Sequence, residues 1–224
     1  VCAVNIFYDD LGNDCLSLAK KLNTNISVIK QSACCGAACY YNGKQSQAVN
    51  SAKKVSTQIE QYDEVIFLDP HCQHMIERDY FELAGIDLNA ALVDAGSYFL
   101  KKIDKNKLKP LNKKITYHHP CHLLRGLKTS LILESFIKEI EPKFVNLNES
   151  DKCCGFAGSY SIMHKSISKK LVEKKVNNIV DTDAEIVITA CPGCIMQIQG
   201  FIQNKGLNIK VMHFVSYLNE ILGG

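Results

Sequence analysis

The chain has 224 residues, 46% of them hydrophobic and 22% charged, with a formal net charge of +3. That balance suits one or two globular domains with a proper core, and offers no concentrated basic face for nucleic acid. No apolar run approaches the roughly 18 residues needed to span a bilayer, and no signal peptide is visible.

Taken in chain order, the first short apolar segment, Asn25–Ile29, reads as a strand, and CCGAACYY follows at 34–41. Residues 43–60 carry a helical pattern, Glu64–Leu68 reads as a strand, and DPHC occupies 69–72. Lysines cluster in KKIDKNKLKPLNKK at 101–114, which reads as a solvated linker. Strands are expected again at Lys114–His118 and Lys143–Leu147, with Cys121 after the first and DKCCGFAGSY after the second. A helix is expected over 162–180, with Ile167, Leu171, Val172, Val176 and Ile179 on one face. Glu185–Thr189 reads as a strand ending at CPGC (191–194), then a helix, then a strand at Asn208–Met212. Alternating strands and helices predict an α/β fold with mainly parallel sheets.

The cysteines repeat. Cys34, Cys35 and Gly36 recur as Cys153, Cys154 and Gly155, an offset of 119 residues. At the same offset Cys2 recurs as Cys121, Tyr41 as Tyr160 and Ser97 as Ser216. After a local shift, DPHC faces CPGC. The chain therefore reads as two tandem, pseudo-symmetric α/β modules, 1–104 and 112–224, a duplicated domain rather than a solenoid. Cys2 follows no strand, whereas its counterpart Cys121 does, and the chain opens on VCAV without methionine. A longer natural chain is expected upstream of Val1.

Eleven cysteines without a secretion signal point to a reducing, cytoplasmic setting and to metal rather than disulfides. Adjacent cysteines such as Cys153 and Cys154 sit about 3.8 Å apart at Cα, too close for an ordinary disulfide. Each cysteine group is expected at the carboxyl end of a strand, where α/β folds place their sites. In CPGC, proline and glycine set a turn that aims two thiolates at one centre. The helix after it would direct its amino-terminal dipole at the sulfurs. The second module supplies Cys121, Cys153, Cys154, Cys191 and Cys194. Five thiolates exceed a tetrahedral zinc site and suit an iron–sulfur cluster. The first supplies Cys2, Cys34, Cys35 and Cys72, with Asp69 where the second has a cysteine, and could hold zinc, a cluster or nothing. Cys15, on a helical face with Leu11 and Ala19, and Cys39 read as ordinary small side chains.

Five of the seven histidines flank these cysteines: His71, His74, His118, His119 and His122. Any of them could ligate or tune a metal, with His119 and His122 the preferred supporting donors. Arg125 reads as solvated, Tyr41 and Tyr160 as packing residues, and Gly36 and Gly155 as places where a loop passes close to the centre. No Ser/His/Asp triad, phosphate-cradling loop or dinucleotide fingerprint is present.

The pattern of a cysteine, CCG and CxxC, present twice, resembles the cysteine-rich CCG-domain family over essentially the whole chain. That family includes a heterodisulfide reductase subunit, the glycolate oxidase iron–sulfur subunit and lactate utilization protein A. The stretches ITYHHPCHLLRGL, DKCCGFAGSYSI and ITACPGCIMQI carry the resemblance most strongly. It implies an iron–sulfur redox subunit, with Cys121, Cys153, Cys154, Cys191 and Cys194 holding a cluster of the [4Fe-4S] kind. It implies a flavoprotein dehydrogenase partner for a 2-hydroxy acid, a further iron–sulfur subunit, and peripheral association with the inner membrane face through such a complex. Cys2, Cys34, Cys35 and Cys72 match in the first module, while Asp69 departs from CxxC and leaves zinc or a second cluster open there. The competing readings are a catalytic heterodisulfide reductase subunit and a zinc-stabilised scaffold.

Overall fold

The computed structural model describes residues 9–29 and 32–223, so Cys2 lies outside the described residues. The first half runs α1 (Asp9–Lys21), α2 (Ala37–Tyr41), α3 (Gln45–Ile59), β1 (Glu64–Phe67), α4 (Pro70–His74), a π-helical turn (Met75–Asp79), α5 (Tyr80–Ala84), β2 (Ala91–Asp94) and α6 (Ala95–Leu100). The second runs β3 (Ile115–Tyr117), a π-helical turn (His122–Gly126), α7 (Ser130–Ile140), α8 (Tyr160–Met163), α9 (Lys165–Val180), β4 (Ile186–Thr189), α10 (Pro192–Asn204), β5 (Lys210–His213) and α11 (Phe214–Ile221).

The strands form two parallel sheets, β1-β2 and β3-β4-β5, so the expected α/β class is what the structure has. Val65 pairs with Leu92 in the first, and Val187 lies between Thr116 and Val211 in the second. β4 reads Ile-Val-Ile-Thr and is buried along its whole length, as a central parallel strand covered on both faces must be.

Two expected strands fall short. The segment 143–147 makes one parallel bridge, Phe144 to Ile115, fastened by the Val145 amide on the Ile115 carbonyl at 2.8 Å. Residues 25–29 form no strand: they pair with nothing among the described residues, and Val28 stays 63% exposed. An unpaired strand does not persist without a sheet edge to join. β2 was not foreseen, because Ala-Leu-Val-Asp is too short and mixed to show a period. The helix expected over 162–180 starts at Lys165. It buries Val172, Val176 and Ile179 but leaves Ile167 and Leu171 48% and 37% exposed, because its first turns outrun the sheet.

The two halves share their interior. α1 packs along α11, and α6 packs on α7, so the last helix of each half covers the first helix of the other. Leu18, Phe99, Tyr117, Leu133, Phe214 and Tyr217 meet in this common core. Each contributes about 1.5–3 kcal/mol of burial. Smaller flanking cores hold the cysteines. One joins Val172, Ile179, Val187 and Ile198 to Cys154, Cys191 and Cys194; the other joins Val55, Met75 and Tyr80 to Cys35. The ends of β1 and β5 meet where His213 Nε2 donates to the Leu68 carbonyl at 3.1 Å. The carboxyl edges of the two sheets thus face one another. Among the described residues no helix is long and apolar enough to cross a membrane.

Candidate metal centre

The second cysteine set assembles from two strand ends and one loop. Cys121 opens the π-helical turn beyond β3, and Cys153-Cys154 lies in the loop before α8. Cys191 caps α10 with extended backbone (φ −142°, ψ 118°), Pro192 starts the helix, and Cys194 follows one turn on. Proline at the first helical position costs nothing, since that amide has no intrahelical partner. Cys154 Sγ and Cys194 Sγ are 3.4 Å apart. Cys121 also meets Cys153, Cys153 meets Cys154, and Cys191 meets Cys194. The five sulfurs form one unbroken chain of contacts. Cys154, Cys191 and Cys194 are buried, and Cys121 and Cys153 are partly so.

Sharing protons along this chain splits the thiols. Hydrogen bonds from Cys121 and Cys154, with the Gly155 amide at 3.3 Å, hold Cys153 down to about 2. Its neighbour Cys154 is pushed up to about 12, first by donating to Cys153. Cys121 and Cys194 are pushed up for the same reason, with burial adding to both. A metal-free set can hold one thiolate comfortably but not five, because each further buried charge lacks a counter-ion.

Gly36 and Gly155 have φ of +84° and +87°, in the left-handed region. A Cβ on Gly155 would lie 2.8 Å from the Ser168 carbonyl oxygen and 2.9 Å from Leu171 Cβ. One on Gly36 would lie 2.9 Å from Ser51 Cβ and 3.2 Å from the Ala48 carbonyl oxygen. The expectation placed these glycines against the centre. The close approach is instead to the longer helix beyond each loop, α9 or α3, and it anchors the cysteine pair from behind.

The first set brings Cys34, Cys35 and Cys72 together around Cys35, which is held down to about 3 by hydrogen bonds from Cys34 and Cys72, with the Ala37 amide adding to them. Asp69 stands where Cys191 stands in the other half. Its Oδ1 accepts from the His71 amide at 3.0 Å and caps α4, a role cysteine fills poorly. Asp69 also links the two sets. Its Oδ2 lies 3.9 Å from Cys72 Sγ, and its Oδ1 lies 3.9 Å from Cys191 Sγ. Burial raises its carboxyl above the ordinary range.

The histidines separate sharply. His119 Nδ1 meets Ser130 Oγ at 2.8 Å and its Nε2 faces Glu134 at 3.5 Å, so both nitrogens are engaged away from the sulfurs. His122 stacks on His71 with ring centroids 4.5 Å apart and brings Nδ1 to 3.7 Å from Cys121 Sγ. Burial, with His71 and His74 alongside, holds it down to about 4. His118 is the one nearest the buried sulfurs: a ring nitrogen and the sulfurs of Cys154 and Cys194 all lie within 4.8 Å of one another. Arg125 is on the surface, donating to the Asp151 carbonyl at 3.1 Å. Tyr41 and Tyr160 are 54% and 36% exposed rather than packed inside, and Tyr41 donates to Asp79 at 3.1 Å.

Sequence reasoning passed over Lys175. It is 2% exposed, its ammonium donates to the Glu149 carbonyl, and burial lowers it to about 8. Cys154 and Cys194, when ionised, and Asp151 oppose that lowering. The signal was present, since Lys175 falls between Val172 and Val176 in the apolar stripe of α9.

None of the ten described cysteines is in a disulfide. Soft sulfur donors, mostly buried and in mutual contact, with a cationic side chain behind them, fit a metal–sulfur group. The cysteine-rich domain family known as CCG matches residues 1–77 and 115–199. A fumarate reductase (CoM/CoB) subunit from Methanothermobacter marburgensis is 29% identical over 97% of this chain and 44% of its own length. Lactate utilization protein A of Halalkalibacterium halodurans is 30% identical over 98% of this chain and 94% of its own. That of Lysinibacillus sphaericus is 29% identical over 96% and 99%. This chain therefore spans less than half of the fumarate reductase polypeptide and nearly all of both lactate utilization proteins. The two matched segments take in every cysteine of both sets, and this chain belongs to the cysteine-rich CCG-domain family.

Proposed function

We propose that this protein is an iron–sulfur redox subunit that passes electrons between a flavin-dependent dehydrogenase of a 2-hydroxy acid and an acceptor. The observation that carries the reading is the unbroken chain of five sulfurs from Cys121 to Cys191. When bound, an iron–sulfur cluster supplies reversible one-electron acceptance. Cys121, Cys153, Cys154, Cys191 and Cys194 would hold it, and Lys175 would offset its negative charge. Cys34, Cys35, Cys72 and Asp69, with Cys2, would hold zinc or a second cluster. We take 1–104 and 112–224 as the two copies of the duplicated unit.

An exposed apolar group beside the CCG loop supports a partner chain. Ile162, Met163 and Ile167, close in sequence, are 69%, 65% and 48% exposed, and exposed apolar groups of this kind suit an interaction site. A cytoplasmic location, at the inner membrane face when in such a complex, follows from the same reading. The test is Cys154→Ser: the visible spectrum and electron uptake from dithionite are lost while helical content is kept. Wild-type cluster content in that variant contradicts the reading.

A second reading is favoured by one observation, the meeting of the two cysteine sets at Asp69. Two adjacent redox centres suit two-electron cleavage of a disulfide, RSSR′ plus two electrons and two protons giving RSH and R′SH. Turnover of a mixed disulfide by the purified protein with a chemical electron donor supports it. The absence of turnover with both sets metal-loaded excludes it.

A further inference from the structure

We propose that His118 donates a ring nitrogen to the metal group held by Cys154 and Cys194, making the second-half centre a mixed thiolate–imidazole site. The inference rests on the reading that this half holds an iron–sulfur group. Three observations carry it. First, the donor atoms converge. The His118 nitrogen and the two sulfurs lie within 4.8 Å of one another, and the sulfurs are 3.4 Å apart. Iron–sulfur groups accept imidazole in place of thiolate, as Rieske centres do with two histidines. No other group of three metal-ligating side chains comes this close among the described residues.

Second, the ring has no other employment. His118 is 1% exposed and neither nitrogen makes a hydrogen bond. The Ser150 carbonyl, already engaged by the His119 amide at 3.2 Å, is near the ring without meeting hydrogen-bond geometry. An unpartnered buried polar group costs about 1–3 kcal/mol, and native interiors seldom tolerate two on one side chain. The adjacent His119 shows the contrast, with both nitrogens facing protein partners.

Third, the backbone holds the ring in place. The His118 amide donates to the Ile188 carbonyl at 2.9 Å, carrying β3 pairing one residue past its end. The residue is thereby locked to β4, the strand that delivers Cys191 and Cys194. This leaves the imidazole little freedom except rotation within the cysteine pocket, which is the preorganisation a ligand needs.

The test uses the whole chain prepared anaerobically, with iron and acid-labile sulfide assayed first. Wild-type protein is grown with natural or 15N-labelled histidine, and pulsed EPR is recorded on the paramagnetic state of the cluster. The expected result is a strong directly bonded nitrogen coupling that changes to the 15N pattern on labelling. His118→Cys, which supplies a thiolate instead, keeps the iron content and loses that coupling. If neither oxidation state is paramagnetic, 57Fe Mössbauer spectra decide, by one iron site whose parameters move in His118→Cys. Full iron and sulfide with no histidine coupling, or one unchanged in His118→Cys, overturns the inference and leaves the functional reading standing. Zinc without sulfide overturns both.

Discussion

Replacing Gly155 by alanine separates backbone conformation from close packing, because Gly158 supplies a control three residues away. Both glycines are in the left-handed region, at φ of +87° and +56°. Alanine pays about 1–2 kcal/mol there at either position. At Gly158 nothing lies within 4 Å of the new Cβ, so that strain is the whole cost. At Gly155 the Cβ would sit 2.8 Å from the Ser168 carbonyl oxygen and 2.9 Å from Leu171 Cβ, and the first of these is backbone of α9. Overpacking of this kind adds about 1–3 kcal/mol. For a chain of this size each kcal/mol lowers the unfolding midpoint by about 2–4 °C. Gly155→Ala of the metal-free protein is therefore expected to melt about 2–12 °C below Gly158→Ala. The displaced loop carries Cys153 and Cys154, so iron uptake on reconstitution should fall in Gly155→Ala and persist in Gly158→Ala. Equal melting of the two variants would refute the claim that the CCG loop is braced against α9.

His213 gives a pH dependence that does not involve a thiol. Its Nδ1 accepts from the Val215 amide at 3.1 Å, so protonation breaks a cap, and burial holds it down to about 4 from 6.5. Between those values the unfolded chain binds the extra proton, so stability from this group is full above pH 6.5 and lost as pH falls towards 4. The loss is about 3 kcal/mol, and urea titrations of His213→Gln at pH 7 and pH 4 should show a correspondingly smaller decline than wild type. Lys175→Met should make the loaded centre harder to reduce. Removing a nearby positive charge is worth about 1–2 kcal/mol, or roughly 40–90 mV for one electron, and an unchanged potential by redox titration would place the ammonium too far away to matter.

The cysteine pattern made the site legible because the duplicated spacing was in the chain itself. The parallel strands β1, β3, β4 and β5 were legible because they are short apolar runs with β-branched residues, buried throughout in β3 and β4. What escaped depends on through-space partners. Asp69 looked like a damaged ligand in sequence; in the fold it caps α4 and touches both sulfur sets. His118 and His119 are neighbours in sequence, yet one points at sulfur and the other at Ser130 and Glu134, a difference set by strand pairing. Lys175 hid in an apolar stripe because a single charge does not alter helical periodicity. The exchange of terminal helices between the halves left no mark in sequence, since α1 and α11 meet across nearly the whole chain.

The central claim is that the second cysteine set holds an iron–sulfur group, and the most direct measurement is iron, zinc and acid-labile sulfide per chain on anaerobically prepared protein, with an EPR spectrum. The account predicts about four iron and four sulfide for that half, in the manner of a [4Fe-4S] cluster, with zinc or further iron assigned to the first set. Zinc alone, with no sulfide after anaerobic reconstitution, would contradict it and make the chain a metal-stabilised scaffold.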